Sequence, residues 1–199
     1  MSTLTLQPDE TDGLDTFHSR NNPDTNYGTN ALLRIGAEAG SATSGHLKFS
    51  GLSSILPTAI INSATLTLYC SAYGINSALN IHGCLKDWVE AQATANIYAT
   101  GLGWAAQCGL GSGTDRDASA AGSLTIAGTG AQDITIATSI IQDWVTGARA
   151  NYGFLMYQTY VANNVYNDFV SSSGATASQR PKLVIEYTLG GQFIRWSNE

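Results

Sequence analysis

The segment from Leu124 to Tyr157, LTIAGTGAQDITIATSIIQDWVTGARANYGFLMY, changes its hydrophobic period part-way, and that change limits what the chain can fold into. Asp133 to Ile136 alternates, with Ile134 and Ile136 on one side and Asp133 and Thr135 on the other, as a half-buried strand does. Ile140, Ile141, Trp144 and Val145 then recur at helical spacing, so they share one side of a short helix over about 138–147. Thr138 or Ser139 is placed to cap its start. Ser139 and Gln142 have capping-box spacing, and Gly147 sits where a helix stops. Asn151-Tyr152-Gly153 turns the chain and Phe154 to Tyr157 begins another strand. In a chain otherwise written in strands, one apolar helical plug bearing a Trp closes one end of a β-sandwich.

The remaining segments supply the strands. Leu4 and Leu6 mark an edge strand. Asp9, Glu10, Asp12 and Asp15 read as an acidic loop, and Asn22-Pro23, Asn26 and Gly28 are turn chemistry. Ala31 to Ile35 reads as a strand, Gly40 to Gly45 as a small-residue loop, and His46 to Phe49 as a strand. Ile61 to Tyr73 alternates most clearly, with Ala64, Leu66, Leu68, Cys70 and Ala72 on one side. Leu79 to Lys86 is expected to pair with it. Asp87 to Asp117 has no clean period and reads as an excursion across one end of the sandwich. Connections of that length are uncommon unless they carry function or contacts. Strands at Leu124 to Ile126, Val165 to Ser171 and Lys182 to Thr188 follow. This predicts an all-β fold, an antiparallel jelly-roll β-sandwich with one short helix. A single domain spans 1–189, with a C-terminal arm at 190–199 behind the Gly190-Gly191 hinge.

Composition narrows the function. Only 12% of the 199 residues are charged and the net charge is −6, with a pI near 4.9. The nine Lys and Arg form no run, so counterion-releasing contact with nucleic acid is excluded, as is attraction to an anionic membrane. No apolar stretch approaches membrane-spanning length. Met1 to Gln7 lacks the basic and apolar regions of an export signal, which predicts synthesis and folding in a reducing cytoplasm. Cys70, Cys84 and Cys108 are three and widely spaced, so free buried thiols are expected.

Five pieces in register carry a resemblance. They are NPDTNYGTNALLRIG at 22–36, HLKFSGLSSILPTAIINSATLTLYC at 46–70, KDWVEAQATANIYATGLGW at 86–104, DITIATSIIQDWVTGARANYGFLMY at 133–157 and RPKLVIEY at 180–187. Together they resemble the disaggregatase-related (DNRLRE) domain family, a jelly-roll module similar to alginate-binding carbohydrate-binding modules. The family usually has a Trp where Ala95 stands. The resemblance implies a module without catalytic machinery. Copies that stand alone without an export signal resemble virion components, which implies display on a phage particle.

The residues themselves offer no convergent catalytic set. There is no GxSxG, His18, His46 and His82 have no partner that spacing identifies, and Asp87, Glu90, Asp133 and Asp143 form no recognisable acid pair. Asp9, Asp12 and Asp15 offer hard oxygens to Ca²⁺ without EF-hand spacing. They read as a solvated acidic loop, with a structural calcium as the alternative and no other cofactor. Sugar recognition needs flat aromatics beside amides and carboxylates. Tyr98, Trp104, Tyr160 and Tyr166, in or near loops, are the candidates, while Trp88 and Trp144 lie on apolar faces and are expected in the core. Phe193, Ile194, Arg195 and Trp196 give the arm large apolar groups on both sides, which suits docking on a second chain.

The sequence thus predicts a non-enzymatic structural or adhesive protein on a virion surface, a phage head decoration or accessory protein. Its partners would be further copies of itself or a capsid protein. The alternative is an extracellular, stand-alone module binding a polysaccharide, and more distantly a polysaccharide hydrolase or lyase.

Overall fold

The computed structural model describes residues 1–38, 41–159 and 164–190. Its strands are β1 (Ser2–Leu6), β2 (Gly13–Ser19), β3 (Leu32–Glu38), β4 (Ser41–Phe49), β5 (Ile60–Ala72), β6 (Ser77–Gly83), β7 (Ile97–Ala99), β8 (Leu102–Gly103), β9 (Gly122–Ile126), β10 (Gly130–Thr135), β11 (Phe154–Gln158), β12 (Val165–Val170) and β13 (Lys182–Thr188), with one helix, α1 (Thr138–Thr146). This is the all-β jelly-roll sandwich with one short helix that the sequence predicts.

Two long strands hold the layers together by changing partners along their length. β5 pairs β10 on one edge; on the other it pairs β13 and then β12. β4 pairs β2 on one edge; on the other it pairs β3 and then β11. One layer is therefore β1-β13-β5-β10 and the other β2-β4-β11-β6-β9, with the β3–β12 pair linking their far ends. Leu66, Leu68, Ile134, Leu183 and Ile185 from the first layer meet Phe17, Leu47, Leu79, Ile81, Phe154 and Met156 from the second in one buried core.

Several sequence expectations are corrected. Leu79 to Lys86 does not pair with β5; β6 lies between β11 and β9 in the opposite layer. Residues 41–45 are not a loop but the first half of β4. Small residues are needed there: a Cβ on Gly45 would sit 3.0 Å from Met156 Cε and 3.1 Å from Ile35 Cδ1. Asp15 is not in an acidic loop but on β2, almost fully buried. Asp9 and Asp12 remain exposed before it.

Helix α1 forms where the period predicts and buries Ile140, Ile141, Trp144 and Val145. It stops at Gly147, whose φ of 76° is the left-handed conformation that glycine adopts without a Cβ penalty. The capping box is absent. Ala137 is the N-cap, with no side-chain hydrogen bond. Gln142 instead accepts the Ile61 N–H at 3.0 Å and donates to the Ala59 carbonyl at 2.9 Å, stitching the helix to the start of β5. All three cysteines are buried free thiols. Gly191 and the arm residues Phe193, Ile194, Arg195 and Trp196, together with Tyr160, lie outside the described residues.

Trp144 packs against Phe154 with ring centroids 5.0 Å apart, joining the helix to β11. Trp144→Ala is expected to lower the unfolding free energy by about 3–5 kcal/mol, read from denaturant midpoints; an unchanged midpoint would remove the helix from the core.

Candidate functional site

The outer face of the β2-β4-β11-β6-β9 layer is the part of the molecule that the long excursion half covers. Directly opposed residues on neighbouring antiparallel strands point to the same side. One such rung runs His18, Ser44, Tyr157, Asn80 and Ser123 across five strands. Its exposure grades along the rung. His18 and Ser44 are sealed, Tyr157 and Asn80 are half-buried, and Ser123 is exposed. The next rung, His46, Leu155 and His82, is buried throughout.

The cover is the 84–121 segment. Cys84, Trp88, Ala93 and Trp104 form a second small core on this outer face. Trp88 Nε1 donates to the Tyr152 carbonyl and Trp104 Nε1 to the Thr94 carbonyl, both at 2.9 Å. Gly109, at φ 70°, lets the backbone close on the sheet: a Cβ there would lie 3.0 Å from the His46 ring and from Leu155 Cδ1. Asp115 fixes the segment internally. Its buried carboxylate accepts the N–H groups of Ala105, Ala106 and Gly111 at 2.9, 2.9 and 3.1 Å. Ser44 Oγ donates to the Cys108 carbonyl at 2.7 Å, so the cover ends above Ser44 and the rung beyond it is open.

At that margin stands Arg116. Its guanidinium carbon lies 4.8 Å from the centre of the Tyr157 ring, and the His82 ring stacks beside Tyr157 at 5.4 Å. His82 Nδ1 sits 2.8 Å from the Asp117 carbonyl and 3.0 Å from Arg116 Nη1. Arg116 Nη1 donates to the same carbonyl at 3.1 Å. Both flanking carboxylates are taken elsewhere, since Asp115 accepts backbone N–H groups and Asp117 accepts Arg149 Nη1 at 2.7 Å. Among the described residues Arg116 therefore has no ion pair. Its Nε is buried without a hydrogen-bond partner.

The candidates from sequence fall in three places. Trp104 is buried, one face on His46 at 4.9 Å, with Tyr98 tilted against it at 5.3 Å. Both therefore build the cover rather than an open platform, because the loop folds on itself. Tyr166 lies on β12, with the Arg34 guanidinium 3.9 Å from its ring centre. That Arg34 is fully engaged, bidentate to Asp168 at 3.0 and 3.1 Å and bonded to Glu38 at 3.1 Å. Such a pair is a closed structural unit, unlike Arg116 over Tyr157. The sequence reading passed over Tyr157, Asn80, Ser123 and Arg116. No local pattern joins them, because strand register alone brings them together.

Asp9, Asp12 and Asp15 do not form a common ligand set. Asp9 Oδ1 accepts the Thr11 N–H at 2.9 Å, and Asp15 points into the fold from a strand. No group of three or more His, Cys, Asp or Glu among the described residues is arranged to hold a metal ion.

Residues 7–98, just under half of the chain, match carbohydrate-binding module family 96. The chain thus carries a carbohydrate-binding-module-like region, the coarser part of what the sequence resemblance implies. The matched stretch cannot close the sandwich by itself, since β4 and β6 meet only through β11 and β3 reaches β5 only through β12. A comparison with curated proteins finds no match.

His18 and His46 generate a pH prediction. Their rings are 4.7 Å apart beneath Trp104, fully buried, and none of the four ring nitrogens has a partner. Burial pushes the His18 imidazole down to about 3, and burial with the His18 ring beside it holds His46 well below its ordinary range. The unfolded chain takes up these protons below about pH 6.5. The stability they contribute is therefore present above that pH and lost as pH falls towards 3. Denaturant midpoints should fall with acid in the parent more steeply than in His46→Leu. Equal slopes would show that the pair is not held neutral.

Proposed function

We propose that this protein is a non-catalytic carbohydrate-binding module that takes a polysaccharide along the open half of the β4-β11-β6-β9 face. The observation that carries the reading is the unpaired Arg116 guanidinium over the half-buried Tyr157 ring. Asn80 and Ser123 continue the same rung, and a match to a carbohydrate-binding family accompanies it. A pyranose face stacks on an aromatic ring while its hydroxyls need fixed amide, hydroxyl or guanidinium partners. Tyr157 supplies the ring and Asn80, Ser123 and Arg116 the partners. Arg116 spends no charge on a protein carboxylate, so its positive charge remains available to a sugar carboxylate or hydroxyl. The cover ends at Ser44, bonded to the Cys108 carbonyl, so the half-buried and exposed residues of the rung begin at its margin.

The test is affinity electrophoresis in gels containing alginate, pectate or neutral glucans. The parent protein should be retarded by at least one of them. Tyr157→Ala and Arg116→Ala should each weaken that binding roughly tenfold or more, as losing about 1.4 kcal/mol or more implies, with unchanged far-UV circular dichroism. Retardation that survives both substitutions would place the glycan elsewhere.

A second reading, a subunit displayed on a virion surface, is favoured by one further observation. Leu56, Ile60 and Leu189 are exposed where β13 ends and the chain enters the 190–199 arm, Thr188 being opposite Ile60. An exposed apolar group of this kind suits attachment to a second chain. Light scattering of Ile60→Asp against the parent separates the readings: assembly lost on substitution favours this one, and a monomer in both favours the free-standing module.

A further inference from the structure

Asp15 and Glu90 meet at the end of the sandwich where β2, the 26–31 turn, the 90–93 segment and the 171–174 turn converge. Asp15 is 1% exposed. Its Oδ2 accepts the Ser172 N–H at 2.6 Å, while Oδ1 is sealed from solvent with no hydrogen-bond partner. Glu90, half-buried, accepts the N–H of Asp15 itself at 2.7 Å through Oε1, so the two carboxylates are neighbours. Neither carboxylate has an ion pair among the described residues. Burial, and to a lesser degree repulsion from Glu90, pushes Asp15 up to about 6; burial raises Glu90 as well. A buried charge is kept where something pairs with it. The hydrogen bond to Ser172 does not require a charge, since an asparagine oxygen would accept it equally well.

From these observations we infer that Asp15 and Glu90 bind a hard divalent cation, Ca²⁺ or Mg²⁺, between β2 and the start of the excursion. The orphaned Oδ1 of Asp15 and the Glu90 carboxylate are the charged ligands. Such ions take oxygen donors and keep waters where the protein leaves room, and half-exposed Glu90 leaves that room on its outer side. Asp9 and Asp12 take no part. The ion clamps Glu90, two residues after Trp88 of the cover, to the sheet beneath it. This site is separate from the glycan face and does not rest on that reading.

The experiment uses full-length protein stripped with chelator. Adding millimolar Ca²⁺ or Mg²⁺ should raise Tm by at least about 3 °C, and the ion giving the larger shift is the one bound. Tb³⁺ should show emission sensitised by the protein's tryptophans, displaced by that ion. Asp15→Asn should abolish both responses. Glu90→Gln, at a half-exposed position, should do the same and carries the test if Asp15→Asn fails to fold. No shift with either ion, or equal shifts in parent and Glu90→Gln, would overturn the inference. A parent that ignores both ions but gains Tm on acidification through pH 6 holds a proton at Asp15 in place of the cation, which also overturns it.

Discussion

A single buried carboxylate gives the excursion its shape. The segment from 84 to 121 has little regular structure of its own, only the β7–β8 hairpin and short turns. Its backbone amides at Ala105, Ala106 and Gly111 are drawn to one point by a side chain, not by a neighbouring strand. Asp115 accepts all three. Hydrogen bonds to a charged acceptor in a water-poor site are among the stronger ones a protein makes, about 1.5–3 kcal/mol each. The next residue, Arg116, bridges to Cys84 beyond the end of β6, so the placement of Asp115 also places the guanidinium over Tyr157.

From that anchor the rest of the face follows. Because the cover sits on the β2 and β4 side, those two strands are buried on both faces. Their outward residues, Thr16, His18, Ser44 and His46, are sealed although polar. Because the cover ends where Ser44 bonds Cys108, the same rung emerges into solvent at Tyr157. Cys108 holds a left-handed backbone, φ 66°, without being a glycine. Such a conformation costs roughly 1–2 kcal/mol and persists where surrounding contacts impose it. The hydrogen bond from Ser44 to its carbonyl is one of those contacts.

The sandwich was largely legible in the sequence because most strands have one face on the core. β5 and β10 alternate cleanly, and α1 announces itself by the change of period at Ile140. β2 and the first half of β4 were not legible for a physical reason. With a core on one side and a cover on the other, residues 13–19 and 42–45 have almost no solvent face to mark with charge. The cap at Ser139 failed because Gln142 has a better use, satisfying Ile61 N–H at a sheet start. The proposed glycan face was the least legible part. Tyr98 and Trp104 stood out as loop aromatics, yet the loop turns them inward. Tyr157, Asn80 and Ser123 are ordinary strand residues until register aligns them. Asp115 carries no signal at all, since its partners are backbone groups.

The dependence of the proposed binding face on this anchor can be measured in one sample pair. Amide hydrogen exchange and glycan affinity would be recorded for the parent and for Asp115→Asn, which keeps the size but loses the charge and one acceptor. The account predicts faster exchange across the 104–111 backbone, weaker glycan binding, and unchanged protection in α1 and β5. A cover that loosens while affinity stays the same, or one that stays protected without the charge, would contradict it.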